Sequence, residues 1–186
     1  VIGLSLASIW LIAAIGLTII YGTMGIINMA HGEFIMLGAY STWILQHFFG
    51  VPWLLCLPAS FITVAVIGWL IERALIRHLY ARPLDTLLAT WGVSLILVQS
   101  IRLIFGADPK YVDIPEWLKA VTVVGFVHIP VLRIFIFFAT ILVALITGAA
   151  LFRTTIGIQV RAVMQNREIA AAFGINEKRI YGLTFA

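Results

Sequence analysis

Five apolar runs, Val1 to Tyr21, Phe34 to Phe49, Val51 to Ile71, Thr86 to Phe105 and Ile134 to Phe152, each come close to the roughly 20 residues that a helix needs to cross a bilayer core about 30 Å thick. A soluble domain has nowhere to hide them all. Of 186 residues, 62% are hydrophobic and 11% charged, with a mean hydropathy of +1.09, against roughly 45–50% and about 25% in soluble domains. One core of this chain length absorbs only part of that surface. The remainder would form patches far above the few hundred Å² that soluble monomers tolerate. The solvent must be lipid, and the expected fold class is all-α, a polytopic transmembrane helical bundle. A sixth run starts near Ile180. With an apolar start at Val1 and no initiator methionine, the chain reads as an internal piece of a longer membrane protein, with C-terminal helices missing.

Lys and Arg outnumber Asp and Glu by 12 to 8, a net charge of +4. The basic residues sit in short connections between apolar runs, where positive-inside topology accounts for them and no nucleic acid is needed as a partner. Arg73, Arg77 and Arg82 lie between runs three and four. Arg153, Arg161, Arg167, Lys178 and Arg179 follow run five. Both connections are expected on the cytoplasmic side, the second spanning residues 153–179. Residues 106–133 balance Lys110, Lys119 and Arg133 with Asp108, Asp113 and Glu116 and are expected outside. Within them, Pro115 to Val121, carrying Trp117, has the composition of a short helix lying in the membrane interface. Pro83 opens run four with Asp85 as the expected N-cap. The one cysteine, Cys56, reads as a small buried hydrophobe.

Between runs one and two, Gly22 to Glu33 has no ordinary loop composition. Gly22, Gly25 and Gly32 stand beside an amide, Asn28, an imidazole, His31, and a carboxyl, Glu33. Polar groups and irregular backbone at membrane depth are tolerated where they are buried in protein or face a water-filled cavity, which is how transporters build pathways. A structural reading is open beside this one, in which the glycines let helices approach and the polar residues cap helix ends. An intramembrane enzyme with His31 and Glu33 as acid and base would need a nucleophile or a metal, and neither accompanies them. No catalytic residue, metal ligand set or cofactor is expected. An ion-coupled secondary transporter or channel, with Glu33 and His31 carrying ions, is the rival from a different class.

Residues 153–179 are too apolar, with Ile156, Ile158, Val160, Val163 and Met164, to be a free linker. Asn166 is a good N-cap, Arg167 to Phe173 supplies about two helical turns with Glu168 near their positive end, Gly174 is a C′ glycine, and Asn176 can cap the next helix. The short helix is expected to expose Ala170, Ala171 and Ala172. The order Glu168, Ala170, Gly174 resembles the EAA loop of ATP-binding-cassette importer permeases, the helix that docks on the ATPase; an ordinary helix–turn–helix connection fits the spacing as well.

Gly16 to Gly22, Gly25 to Glu33, Gly38-Ala39-Tyr40, Glu72-Arg73 and Arg161-Ala162-Val163 leading into Glu168 to Ile175 together resemble the permease subunits of branched-chain amino acid importers. Within that family, Arg82 to Gly92 and Arg161 to Arg167 look most like the urea-importer permeases. The resemblance implies one partial permease domain over residues 1–186 in the bacterial inner membrane. Its implied partners are a second permease, two cytoplasmic ATPases and an external solute-binding protein. Arg167, Glu168, Ala170, Ala171 and Gly174 would form the ATPase-coupling element, and Gly22, Gly25, Asn28, His31, Gly32 and Glu33 a signature near the pathway. The implied substrate is a small polar nitrogen compound, urea first and branched-chain amino acids next.

Overall fold

The computed structural model describes residues 2–80, 82–124 and 127–186; Val1, where the first run was expected to begin, lies outside them. In chain order the elements are α1 (Ile2–Met24), α2 (His31–Phe49), α3 (Trp53–Ala74), a 3₁₀ turn at Ile76–His78, α4 (Pro83–Phe105), α5 (Glu116–Lys119), β1 (Val121–Val124), β2 (Val127–Pro130), α6 (Val131–Arg153), α7 (Thr155–Gln165), α8 (Arg167–Ala172) and α9 (Glu177–Phe185). Every apolar run is a helix, usually longer by a few residues than its apolar stretch. Among the described residues, four helices are long and apolar enough to cross a membrane: Gly3–Met24, Trp53–His78, Pro83–Phe105 and Val131–Arg153. The expected fifth, α2, has the length but not the apolarity, because its helix starts at His31 and takes in Glu33, Gln46 and His47.

Burial along these helices runs opposite to that of a soluble bundle. Trp10, Phe61 and Leu103 stand exposed, whereas Ser8, Thr42, Ser60, Thr86, Thr90 and Thr140 are buried. In lipid the apolar side chains face the solvent, and small hydroxyl residues pack where helices meet. Their hydroxyls are satisfied on the helix itself: Ser8 donates to Leu4 O at 2.8 Å, Thr42 to Gly38 O at 3.0 Å and Thr140 to Ile136 O at 2.8 Å.

The chain forms two compact units, one of residues up to Ile19 with Ile114–Ile175, the other of Ile20–Asp113 with Asn176–Ala186. In the second unit α2 and α3 pair as a helical hairpin, and α9 lies against α3. Glycines permit that approach: a Cβ on Gly68 would stand 3.3 Å from Ala186 Cα, and one on Gly182 would stand 3.2 Å from Glu72 Oε2. Cys56 is fully buried, as its size and polarity suggest. Pro83 is an early residue of α4 as expected, but the N-cap is Arg82; Asp85 sits inside the first turn, 3.5 Å from the Arg82 guanidinium.

The other unit departs more from the sequence reading. The interfacial helix is a single turn, Glu116–Lys119, with Leu118 fully buried and Trp117 against Phe135. Val121 belongs instead to an antiparallel hairpin in which Val121 pairs with Pro130 and Thr122 with Ile129. Val121 to Val124 is β-branched throughout, a strand composition in a segment too short to act as a helix. Beyond α6, residues 155–165 form a full helix, α7, whose buried stripe of Gly157, Val160 and Val163 follows helical spacing.

Candidate functional site

The polar interruption is narrower than its composition suggests. Gly22 is still inside α1, and His31, Gly32 and Glu33 form the first turn of α2, so irregular backbone covers only Gly25 to Ala30. Gly25 ends α1 with φ of +67°, a conformation open to glycine at little cost, and its N–H reaches Tyr21 O at 2.8 Å. From there burial alternates strictly: Ile26, Asn28 and Ala30 are buried, Ile27 and Met29 exposed. Asn28 closes a local turn by accepting from Ala30 N at 3.0 Å, while its Nδ2 is buried with no hydrogen-bond partner. Gly32 is exposed, with no atom near where a Cβ would stand.

Residues absent from the sequence prediction hold this break in place. Thr90 on α4 accepts from Met29 N at 3.2 Å, and its own proton reaches Leu87 O at 3.0 Å. One turn on, the Ser94 hydroxyl donates to Glu33 Oε1 at 2.7 Å. Free backbone and carboxyl groups away from water need such partners. Their depth follows from α4: at 1.5 Å per residue, Ser94, the middle residue of Pro83–Phe105, lies roughly 16 Å from the helix start. Glu33 is thus held against the middle of a membrane-length helix. The signal was present as Thr86, Thr90 and Ser94, three hydroxyls at i, i+4 and i+8 on the N-terminal half of a mostly apolar run.

The second candidate group lies in α8. Asn166 accepts from Ile169 N at 3.0 Å, the expected N-cap. Gly174 has φ of +81° and donates to Ala171 O at 2.9 Å, while Ile175 N reaches Ala170 O at 3.1 Å. Both ends are therefore closed, and Asn176 caps α9 by accepting from Arg179 N at 3.1 Å. Arg167, Glu168 and Ala171 are exposed. Ala170 is not: it is 3% exposed, a correction to the expected alanine surface, because it faces inward between the exposed Ile169 and Ala171. The outward apolar groups are Ile169 at 55% and Phe173 at 83% exposure, one turn apart. The two candidate groups fall in different units.

A third cluster was also not foreseen. Glu72 near the end of α3 is fully buried, receives the Tyr80 hydroxyl on Oε1, has Arg77 Nε at 3.4 Å from the same oxygen, and leaves Oε2 unpartnered against Gly182. Burial first, and then the Glu72 carboxyl, lift the Tyr80 hydroxyl well above the ordinary phenol range.

Membrane-length helices with buried hydroxyls, and a polar break bonded to the middle of one of them, define a multi-pass membrane protein, here of the bacterial inner membrane. The chain belongs to the family described as branched-chain amino acid transport system / permease component, which it matches over residues 1–186. This is a family of transport subunits and not of enzymes. The high-affinity branched-chain amino acid transport system permease protein BraD of Pseudomonas aeruginosa is 33% identical over 199 residues, covering 98% of this chain and 64% of BraD. LivH of Escherichia coli K12, of the same description, is 31% identical over 198 residues, covering 98% of this chain and 63% of LivH. LivM of the same strain is 30% identical over 73 residues, 39% of this chain and 17% of LivM. The chain therefore spans a little under two thirds of the length of BraD and LivH. No solved structure matches it.

Proposed function

We propose that this chain is the permease part of an ATP-driven importer of a small polar nitrogen compound. The observation that carries the proposal is α8. It is short, closed at both ends by Asn166 and Gly174, joined to the next helix within a few residues, and it presents Ile169 and Phe173 outward. An element that passes nucleotide-driven closure to a membrane helix must be rigid and directly attached, since a slack loop would absorb the motion. Arg167, Glu168, Ala170, Ala171 and Gly174 form this coupling element, with Ala170 as its inward anchor and Ile169 and Phe173 as its contact face. Two ATPases, a second permease and an external solute-binding protein complete the machine. LivM, a second permease by its name, supports the pairing. On this reading residues 153–179 are cytoplasmic and 106–133 external.

Gly22, Gly25, Asn28, His31, Gly32 and Glu33 lie at the pathway. Their amide, imidazole and carboxyl groups, with Thr90 and Ser94, offer donors and acceptors without a fixed cation, a set that serves a neutral solute directly. That chemistry and the motifs Arg82–Gly92 and Arg161–Arg167 favour urea. The names of the relatives favour branched-chain amino acids, whose carboxylate would be met by the α2 N-terminus.

The test uses the full-length protein expressed with its ATPase. Glu168→Lys should cut ATPase co-purification at least about tenfold, the scale of one lost interfacial interaction of about 1.4 kcal/mol, with membrane insertion unchanged. Undiminished co-purification refutes the coupling assignment. Uptake of labelled urea and leucine by the reconstituted importer decides the substrate, and full-speed uptake without any ATPase refutes the ATP-driven reading.

A further inference from the structure

The end of α3 and the start of α9 enclose a groove of about 440 Å³ within one compact unit. Arg73, Arg77, Lys178 and Arg179 line it together with Trp69 and Asn176, and no acidic side chain is among its lining residues. Arg77 is engaged with the buried Glu72, and the Arg73 guanidinium lies 5.3 Å over the Trp69 ring. Besides Arg77, the three cations Arg73, Lys178 and Arg179 thus converge on one concavity. Trp69 and Arg73 occupy the last turns of a membrane-length helix, the level at which an aromatic ring and a basic head mark the boundary between hydrocarbon and headgroups. The groove wall is graded in the same sense. Trp69 and Leu183 give it apolar, exposed surface beside the cationic one.

We infer that this groove binds the phosphate of an anionic lipid headgroup. The volume falls within the range of small-ligand sites and suits a phosphodiester with its glycerol. Basic pockets between membrane helices recognise lipid phosphates by charge, and the apolar wall receives the start of the acyl chains. A free inorganic phosphate would satisfy the cations but leave the exposed apolar surface of Trp69 and Leu183 uncovered. The site stands on its own and does not depend on the transport reading, since it uses neither α8 nor the polar break.

The experiment takes the purified full-length protein and measures lipid retained in native mass spectrometry after equilibration with phosphatidylglycerol or phosphatidylcholine. Phosphatidylglycerol is retained in preference. Lys178→Gln with Arg179→Gln lowers its affinity about 25-fold, about fivefold per cation, while Lys119→Gln in the other unit leaves it unchanged. Arg77 is left intact so that Glu72 keeps its partner. A second measurement needs no variant. A photoreactive phosphatidylglycerol labelled at its headgroup crosslinks the wild-type protein within Trp69 to Arg77 and Asn176 to Leu183. Undiminished retention in the double variant, labelling elsewhere, or full displacement of the label by excess inorganic phosphate overturns the proposal, the last by showing a soluble-anion site. Complete protection of the groove by the bound ATPase also overturns it, by showing a protein interface.

Discussion

Replacing Gly157 with alanine tests how α7, which leads into α8, is joined to α6. Gly157 N donates to Thr154 Oγ1 at 3.0 Å, the Thr154 hydroxyl donates to Ala150 O at 2.5 Å, and the Arg161 guanidinium donates to Leu151 O while lying 5.0 Å over Phe152. The last carbonyls of α6 have no partner within their own helix, and α7 meets them so closely that no side chain fits between. A Cβ on Gly157 would fall well inside van der Waals contact with the Ala150 and Leu151 carbonyl oxygens. Both are backbone atoms and cannot rotate aside, so the corner must open. Overpacking of this kind costs roughly 1–3 kcal/mol, and loss of the Arg161 bond about 1.5–3 kcal/mol more. The better helix propensity of alanine returns only about 1 kcal/mol. The net loss is about 3 kcal/mol, and at about 2–4 °C per kcal/mol for a chain of this size the melting temperature falls by roughly 6–12 °C. Thermal unfolding of the purified full-length protein, followed by circular dichroism, measures it. The control is Gly148→Ala on α6, where nothing lies within 4 Å of the new methyl group; it should be neutral or slightly stabilising. Equal melting temperatures for the two variants would refute the argument.

Two further outcomes are expected. A tag inserted at Asp113 should be reachable by an impermeant reagent from outside the cell and one at Asn166 only after the membrane is opened; the reverse labelling overturns the proposed sidedness. Tyr80→Phe should cost about 1–3 kcal/mol at neutral pH by removing the bond to Glu72, and it should also change the alkaline limb of stability. Because the folded Tyr80 hydroxyl holds its proton above the ordinary value of about 10, its contribution is complete below that pH and is lost above it, as the unfolded chain deprotonates first. Melting curves between about pH 8 and about pH 11 should fall less steeply for the variant, and parallel curves would contradict the assignment.

What could be read from the sequence was whatever depends on neighbours or on solvent. A bilayer demands runs of a certain length, so α1, α3, α4 and α6 were visible from apolarity alone. Caps reach only three or four residues, so Asn166, Gly174 and Asn176 are legible in the sequence, and each is where the local chemistry put it. The bond from Ser94 to Glu33 spans 61 residues, as does that from Met29 to Thr90, and the meeting of Glu72 with Gly182 depends on how α9 lies against α3. The stripe of Thr86, Thr90 and Ser94 is visible locally, but the partner of each contact is not. In lipid the difficulty deepens, because a helix face that packs and one that meets acyl chains are both apolar. The close approach that only glycine permits at residue 157 was decided by the corner between α6 and α7, and the meeting of Glu33 with Ser94 by packing between distant segments. Contacts of that kind form only when the whole chain has found its place, and no window of sequence contains them.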